Sequence, residues 1–354
     1  MLKKIGLILL SLLFLIILYF VFTPSPIDPV GWTPPPAPAL EGPYEKNDRL
    51  AALEVLFPGQ CNKCEDVALD AEGRIFVGDV EGNIIEFDNG KRRVVVNTGG
   101  RPLGLHFDDS GHLIIADAGA GLLSLNTVSG ELKVLVDEFD GQKMIFVDDL
   151  EIAEDSMIYF SDASTKFGYE DNVLDILEGR GNGLLYSYNP KTGETKKLME
   201  DLCFSNGIAV AHDQSYVLVN ETGRYRTHRY WLKGPKAGQS EIFIENLPGF
   251  PDGISQGSDG IYWLAIVSPR KPDLDQISGS AFLKNQIAKL PAFLQPKPVH
   301  YSFVLGLDGN GTVKYNLQDP AAGFAEITSV QQEGDMLYLG TLYEQGIARI
   351  AIPE

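Results

Sequence analysis

Residues 65–87 read EDVALDAEGRIFVGDVEGNIIEF, and this stretch decides the fold of the chain. It contains three short apolar runs separated by turns that carry glycine, which is the pattern of consecutive antiparallel strands. Comparable units recur along the sequence, and the second apolar run of each unit is the easiest to recognise. The recurring runs are GHLIIAD at 111–117, MIYFSD at 157–162, YVLVN at 216–220, GIYWL at 260–264 and MLYLG at 336–340.

Six such units, spaced by roughly 40–50 residues apart from insertions, predict an all-β, six-bladed β-propeller. A two-sheet sandwich would not explain the same order of elements six times. The apolar segment Leu53–Phe57 lies outside the repeats. We expect it to pair with the last unit as a closing strand, because an open ring leaves unpaired strand edges.

Two insertions interrupt the repeats, at residues 166–182 and 268–301. In the second, apolar residues from Ala281 to Leu290 recur at helical spacing. Either insertion is a candidate lid over one mouth of the ring. The second has the alternative of lying on a membrane, although Lys284 and Lys289 are the only basic residues beside its apolar face.

The N-terminus carries an apolar run from Ile5 to Phe22, preceded by Lys3 and Lys4. This run is long enough to cross a bilayer, and no small-residue cleavage site follows it, which favours an uncleaved anchor over a signal peptide. The lysines predict a cytoplasmic N-terminus and a propeller on the periplasmic, extracytoplasmic or lumenal side. The predicted organisation is a transmembrane signal anchor at 1–22, a proline-rich linker at 23–46 that acts as a semi-rigid spacer, and the propeller at 47–354.

Charge and cysteine content limit the possible partners and cofactors. The formal net charge of −19 and the lack of basic patches argue against nucleic acid as a partner. Cys61 and Cys64 form a CxxC that is compatible with a zinc half-site, a redox pair or a local disulfide, of which the disulfide is favoured if the domain is exported. Cys203 is expected to be a buried free thiol.

Oxygen-bearing side chains stand at four predicted strand entrances. The first two entrances carry acid pairs, Glu65-Asp66 and Asp148-Asp149, and the others carry Asn206 and Asp252. Carboxylates between apolar residues are costly unless something pairs with them. One site on a common axis would answer that need, and an all-oxygen set suits calcium better than magnesium or zinc. Three acids and one amide would over-neutralise a divalent ion. The alternative is that these residues only cap turns between blades.

Four further motifs resemble the strictosidine-synthase-like family. They are FSNGIA at 204–209, NETGRYR at 220–226, RYWLKGPKAG at 229–238 and LPGFPD at 247–252. The resemblance extends over essentially the whole chain. The wider superfamily includes paraoxonases and the senescence-marker-protein/gluconolactonase group, all six-bladed propellers.

The resemblance implies a catalytic Ca2+ in the central tunnel, held by Glu65, Asp148, Asn206 and Asp252. It also implies a second, structural calcium near Asp66, Asp149 and the carbonyl of Leu105. Asp252 would be the nucleophile or general base, with Glu65 and Asn206 beside it. Three departures from the paraoxonase pattern are Asp148 in place of an amide, Gly253 in place of a second amide ligand, and Leu103 where paraoxonases carry a catalytic histidine.

The expected function is therefore a membrane-anchored, calcium-dependent hydrolase of esters or lactones, of the arylesterase or lactonase kind. The expected partners are a small ester or lactone substrate and a membrane contacted through residues 5–22. One alternative is a non-catalytic binding propeller braced by calcium. Another is the amine–aldehyde condensation of strictosidine synthase, whose last-blade catalytic glutamate would fall near residues 331–333.

Overall fold

A computed structural model describes residues 2–353 of the chain, without the side chains of Leu2 and Ile16. Met1 and Glu354, the outer ends of the predicted ranges 1–22 and 47–354, lie outside the described residues. Helix α1 spans Leu2–Phe22. It is the one helix among the described residues that is long and apolar enough to cross a membrane. The division into three domains remains a prediction.

Six four-stranded antiparallel sheets form the predicted six-bladed propeller. The strand bounds follow in chain order, with β1 at Glu54–Leu56. Blade 1 contains β2 Val67–Leu69, β3 Ile75–Gly78, β4 Asn83–Asp88 and β5 Lys91–Asn97. Blade 2 contains β6 Arg101–Phe107, β7 Leu113–Ala118, β8 Gly121–Leu125 and β9 Leu132–Val136, and a hairpin of β10 Glu138–Phe139 and β11 Gln142–Lys143 follows. Blade 3 contains β12 Val147–Ile152, β13 Ile158–Asp162, β14 Gly183–Asn189 and β15 Glu194–Leu202.

The remaining blades follow the same plan. Blade 4 contains β16 Ser205–Val210, β17 Tyr216–Glu221, β18 Arg226–Trp231 and β19 Ser240–Ile244. Blade 5 contains β20 Gly249–Gln256, β21 Tyr262–Pro269, β22 Ser302–Leu307 and β23 Val313–Asp319. Blade 6 contains β24 Ile327–Glu333, β25 Met336–Thr341 and β26 Ile347–Ala351.

The ring closes through β1, which pairs antiparallel with β26 and completes blade 6. Val55 lies opposite Ala348 in this pairing. The prediction of a closing strand outside the repeats is therefore confirmed. The N-terminal strand and the C-terminal hairpin share one sheet, so the two ends of the chain hold the ring together.

The second strand of each blade forms most of the core, which explains why its apolar run was the clearest sequence signal. All residues of β7, β13 and β17 are buried. The outermost strand is different, since β5 is exposed over Lys91–Val94. Each blade therefore has four strands, whereas the sequence showed three apolar runs in each unit.

The proline-rich segment packs on the propeller, which differs from the spacer that its composition predicted. Ile27 is buried, the amide of Val30 donates to the carbonyl of Glu178 at 3.0 Å, and the indole of Trp32 lies beside the ring of Tyr225. The apolar residues between the prolines are the reason, because they cover apolar clefts that water would otherwise contact. The spacer interpretation is wrong for this part of the segment.

Both insertions are helical and lie on one face of the ring. The first contains α2 at Asn172–Glu178, and the second contains α3 at Pro272–Ser278 and α4 at Ala281–Ala288. Short 3-10 turns occur at Gly42–Tyr44, Tyr169–Asp171, Thr222–Arg224 and Ala292–Leu294. Each insertion joins the second strand of a blade to the third. In an antiparallel blade that connection lies at the same end as the start of the first strand, where the predicted ligands stand.

Candidate metal-binding and active site

The structure brings the four predicted ligands to one place. Glu65, Asp148, Asn206 and Asp252 line a cavity of about 20 Å³, to which blades 2 and 6 contribute Gly104 and Ser329. Because all six blades contribute to its wall, this cavity lies on the propeller axis. Its volume has room for one water-sized particle.

A shift in strand register turns these side chains toward the axis. In blades 3, 4 and 5 the pairing of the first strand with the second shifts between Val147 and Leu150, between Ser205 and Ile208, and between Pro251 and Ile254. Blades 2 and 6 shift at the equivalent place. A bulge leaves a residue unpaired and re-aims its side chain. Asp148, Asn206 and Asp252 all fall within these shifts.

Glycines follow two of the predicted ligands, Asn206 and Asp252, because the blades are crowded there. A Cβ on Gly207 would lie 2.4 Å from the carbonyl oxygen of Asp252. A Cβ on Gly253 would lie 2.5 Å from the carbonyl oxygen of Thr328, in blade 6. Close approach of the neighbouring backbone therefore explains why position 253 has no side chain to act as a ligand. The departure from the paraoxonase pattern is a packing requirement in this chain.

Asp148 and Asp252 lack compensating charge. Burial, followed by the carboxylates of Asp252 and Glu65, raises the pKa of Asp148 well above its usual range. Burial and the carboxylate of Glu65 likewise raise the pKa of Asp252, although the Asn206 amide acts to lower it. Within residues 2–353, no hydrogen bond or ion pair involves the carboxylate of Asp148. A cation bound in this small cavity would lower both pKa values, because a nearby positive charge stabilises the ionised carboxylates.

Glu65 is held by two side chains that the sequence did not identify as its partners. Its Oε1 accepts from Nη2 of Arg101 at 2.8 Å and from the hydroxyl of Tyr169 at 3.1 Å. The guanidinium of Arg101 also lies over the Tyr169 ring, 5.2 Å from its centroid. The position of Arg101 could have identified it from the sequence. A basic residue stands at the entrance of blade 2, whereas four other blades have a predicted oxygen ligand at the equivalent place. Arg101 supplies a positive charge that offsets one of the three acidic ligands predicted for the ion.

The neighbouring acids Asp66 and Asp149 are bound to main-chain amides. Asp66 accepts from the amides of Val67 and Leu105, at 2.8 and 2.9 Å. Asp149 accepts from Leu150 and Ile208, both at 2.8 Å. Burial raises the pKa of Asp66 to about 6 against the effect of these amides. Each carboxylate thus links its own blade to the next. The structural calcium at Asp66, Asp149 and the carbonyl of Leu105 remains a prediction. In the structure it is the amide of Leu105, not its carbonyl, that contacts Asp66.

The donor chemistry fits a hard divalent cation. The described residues contain no preformed group of three His, Cys, Asp or Glu side chains that would hold a metal as they stand. The donors at the small cavity are nevertheless all oxygens, and Asp148 forms no bond that would have to break before it moved. Oxygen donors around a space of this size suit calcium, which accepts irregular geometry.

A larger cavity of about 360 Å³ lies above the small one and shares Asn206 and Asp252 with it. Both insertions contribute to its wall, as a lid would. The lining is mainly apolar and includes Val173, Ile176, Leu177, Phe204, Phe250, Val267, Leu274, Pro296, Pro298 and Leu342. A cavity of this volume and character accommodates a small organic ligand.

Three other predicted positions bear on the chemistry. Leu103 is buried and lines the small cavity, so an apolar side chain lies there where paraoxonases carry histidine. Near the predicted position of the synthase glutamate, Gln331 lines the cavity and Glu333 is exposed. Cys61 and Cys64 form a disulfide, and Cys203 is a buried free thiol.

Family profiles and individual relatives both connect this chain with strictosidine-synthase-like proteins. The family profile "Strictosidine synthase" matches residues 148–235, and the profile "Strictosidine synthase-like, N-terminal" matches residues 42–87. The adipocyte plasma membrane-associated protein of Rattus norvegicus is 33% identical to this chain, with 93% of each chain covered. A strictosidine-synthase-like protein of Arabidopsis thaliana is 34% identical, covering 86% of this chain and 83% of the plant protein.

Solved structures resemble the fold. A gluconolactonase from Xanthomonas campestris superposes with a TM-score of 0.62 and 16% identity, covering 94% of this chain and 97% of the other. The calcium-binding protein regucalcin from Agrobacterium tumefaciens gives a TM-score of 0.58 at 17% identity, covering 82% and 89%. At these identities the likeness establishes a shared propeller architecture.

Proposed function

Because the chain belongs to the strictosidine-synthase-like family, we propose that it is a membrane-anchored, calcium-dependent hydrolase of esters or lactones. One observation carries the proposal. Side chains with oxygen donors from four blades line a small axial cavity, and two of them, Asn206 and Asp252, also line the apolar cavity above it. A substrate in the upper cavity would therefore present its carbonyl to the residues of the lower one.

Glu65, Asp148, Asn206 and Asp252 would hold the calcium. When bound, calcium would polarise the ester carbonyl and stabilise the developing oxyanion. Asp252 lies on both cavities, so its carboxylate is positioned to accept a proton from a water molecule or to attack the carbonyl carbon. The amide of Asn206 is positioned to donate a hydrogen bond to the oxyanion. Arg101 and Tyr169 would keep Glu65 in place.

Amine–aldehyde condensation is less well supported. The synthase reaction depends on a last-blade glutamate, and the residue of blade 6 that lines the small cavity near that position is Gln331. The exposed Glu333 is separated from the cavity. A binding propeller without turnover has the same axial residues, so activity decides between it and the hydrolase.

Hydrolysis of phenyl acetate and of a panel of lactones tests the proposal. The full chain in lipid vesicles should lose activity in chelator and regain it on addition of calcium. Asp252→Asn should lower kcat/KM by at least about 100-fold, as is typical when a group that acts in the transition state is removed. The control is Asp259→Asn, which changes an exposed aspartate of the same blade and should leave the rate unchanged. Turnover that survives both chelator and Asp252→Asn would contradict the proposal.

The proposed location is the non-cytoplasmic side of the membrane. Helix α1 fits a single-pass anchor, and the rat relative is named as membrane-associated. The orientation is supported by Lys3 and Lys4 before α1 and by the Cys61–Cys64 disulfide, since disulfides persist in oxidising compartments. Protease added outside intact cells or spheroplasts should degrade the propeller. Protection there, with cleavage only after lysis, would reverse the assignment.

A further inference from the structure

The second insertion carries an exposed apolar patch formed by Phe282, Leu283, Phe293 and Leu294. These side chains are 69%, 45%, 71% and 56% exposed. Phe282 and Leu283 lie in the first turn of helix α4, and Phe293 and Leu294 belong to the 3-10 turn that follows it. Four large apolar side chains exposed within thirteen residues are unusual on a water-facing surface and indicate an interaction site.

Helix α1 reaches this insertion directly. The hydroxyl of Tyr19 donates to the carbonyl of Lys289 at 2.6 Å, and Nζ of Lys289 donates to the carbonyl of Phe20 at 2.8 Å. Lys289 lies between the two halves of the patch in sequence. The last turn of a membrane-spanning helix lies near the membrane surface, where tyrosine and lysine are both favoured. These contacts therefore place the patch close to that surface.

Charge supports the same placement. Residues 276–301 contain no aspartate or glutamate, in a chain that has 48 acidic residues. Of the lysines in this stretch, Lys297 is exposed and Lys289 half-buried, whereas Lys284 is buried and donates to the carbonyl of Val30. Lipid headgroups contain phosphate, and their net charge is zero or negative. A surface without carboxylates can therefore approach a bilayer with less electrostatic repulsion than the rest of this acidic protein. Charge and apolar exposure thus favour the same occupant.

The insertion also borders the upper cavity. Leu274, Pro296 and Pro298 line that cavity, and α4 packs on α2, which forms another part of its wall. We propose that the insertion at residues 268–301 rests on the bilayer beside α1, with the apolar patch in the headgroup–acyl boundary and the mouth of the upper cavity next to the lipid. The occupant of the patch is the lipid surface. The consequence for substrate supply rests on the proposed function.

Depth-dependent quenching tests the docking without any need for activity. Phe282→Cys and Phe293→Cys would each be labelled with an environment-sensitive fluorophore on the full chain in phosphatidylcholine vesicles. The native cysteines should not react, because Cys61 and Cys64 are bonded and Cys203 is buried. The control is Val128→Cys, an 82% exposed position in the loop from β8 to β9, which lies on the opposite face of the ring.

Lipids brominated on their acyl chains should quench both insertion labels about twofold or more, because an interfacial segment reaches about 5–10 Å into the boundary. The label at position 128 should respond only to iodide in the water. Labels at 282 and 293 that respond to iodide as fully as the control would overturn the proposal. Protection from iodide without quenching by brominated lipid would also overturn it, and would identify a second copy or another protein as the occupant.

A second measurement follows the substrate. The double variant Phe282→Asp/Phe293→Asp should hydrolyse a long-chain ester embedded in the vesicles at a rate at least about tenfold lower than the wild type. The reason is that two large apolar side chains no longer hold the insertion in the headgroup–acyl boundary. Its hydrolysis of phenyl acetate from water should be unchanged. An equal loss on both esters would contradict membrane supply. If the wild-type chain hydrolyses neither ester, the proposed function fails while the quenching result stands by itself.

Discussion

Asp148 and Asp149 are adjacent in the sequence and both line the small cavity, but their carboxylates differ in hydrogen bonding. Both oxygens of Asp149 accept main-chain hydrogen bonds, one of them from the next blade. Asp148 faces the small cavity and none of the described hydrogen bonds involves its carboxylate. Glu65 and Asp66 repeat the contrast, with side-chain partners for Glu65 and main-chain partners for Asp66. One acid of each pair links neighbouring blades, and the other is the one that we propose binds the ion.

The largest expected effect concerns Arg101, the cationic partner of Glu65. Arg101→Met would leave the mostly buried Glu65 without its cation, and breaking such a pair typically destabilises a protein by about 3–5 kcal/mol. We therefore expect a loss of that order in the free energy of unfolding, measured by denaturant titration in chelator. Added calcium should restore part of it, because the ion supplies positive charge beside Glu65.

Arg349→Met is the matched control for that experiment. Arg349 pairs with Glu54 at 2.7 Å, and both side chains are exposed, at 37% and 59%. Exposed pairs contribute about 0–1 kcal/mol. If Arg101→Met were as mild as Arg349→Met, Arg101 would not be what holds Glu65, and the charge balance described for the site would be wrong.

The next largest effect is expected for Asp149, and comparing its alanine variant with that of Asp148 tests the contrast between the two aspartates directly. Asp149→Ala would leave the amides of Leu150 and Ile208 without an acceptor, each worth about 1–3 kcal/mol, and it would also remove repulsion with Asp66. We expect a net loss of about 2 kcal/mol in chelator, by the same titration. Asp148→Ala should be as stable as the wild type or more stable, since it removes a buried carboxylate that accepts no hydrogen bond. Equal losses in the two variants would break the comparison.

A smaller effect is expected from a third carboxylate, which lies away from the axis. Asp175 on α2 is fully buried, and its Oδ1 accepts from Ser164 and Asn182. Burial raises its pKa to about 6, above an unfolded value of about 3.9. The folded state therefore binds a proton that the unfolded state has released, and stability decreases as the pH rises from about 4 to about 6.

Asp175→Asn removes this titration. The stability of the variant relative to the wild type should rise by about 1–2 kcal/mol between pH 4 and pH 6 and then level off. Denaturant titrations of both proteins at matched pH values measure the difference and cancel the contributions of other groups. A difference that stays constant with pH would show that Asp175 keeps an ordinary pKa in the folded protein.

Much of the architecture could be predicted from the sequence because the inner strands carry their signal locally. The runs at 111–117 and 216–220 are apolar on both faces, and the glycines between runs mark the turns. The outer strand β5 could not be recognised in the same way, because Lys91, Arg92 and Arg93 face water and only its pairing with β4 makes it a strand. Helix α4 was recognisable from its apolar spacing and ends at Ala288.

The site was predictable only in part. Glu65, Asp148, Asn206 and Asp252 were predicted from their positions at strand entrances, and the family resemblance implied the same set. The role of Arg101 depends on a contact 36 residues distant in sequence, and no local pattern announces such a contact. The packing of Ile27 and Trp32 was hidden by the prolines around them, because composition describes the stiffness of a segment and not the surface it meets. Tertiary contacts decide both features.

Isothermal titration of calcium into the chelator-treated full chain tests the central claim most directly. We predict that the wild type binds calcium and that Asp252→Ala and Asn206→Ala each bind one ion fewer per chain while keeping the far-UV spectrum of a folded propeller. The control variant Asp259→Asn should titrate like the wild type. If the variants at 252 and 206 bind as many calcium ions as the wild type, with the same affinity, the four axial residues do not share an ion and the proposed site is wrong.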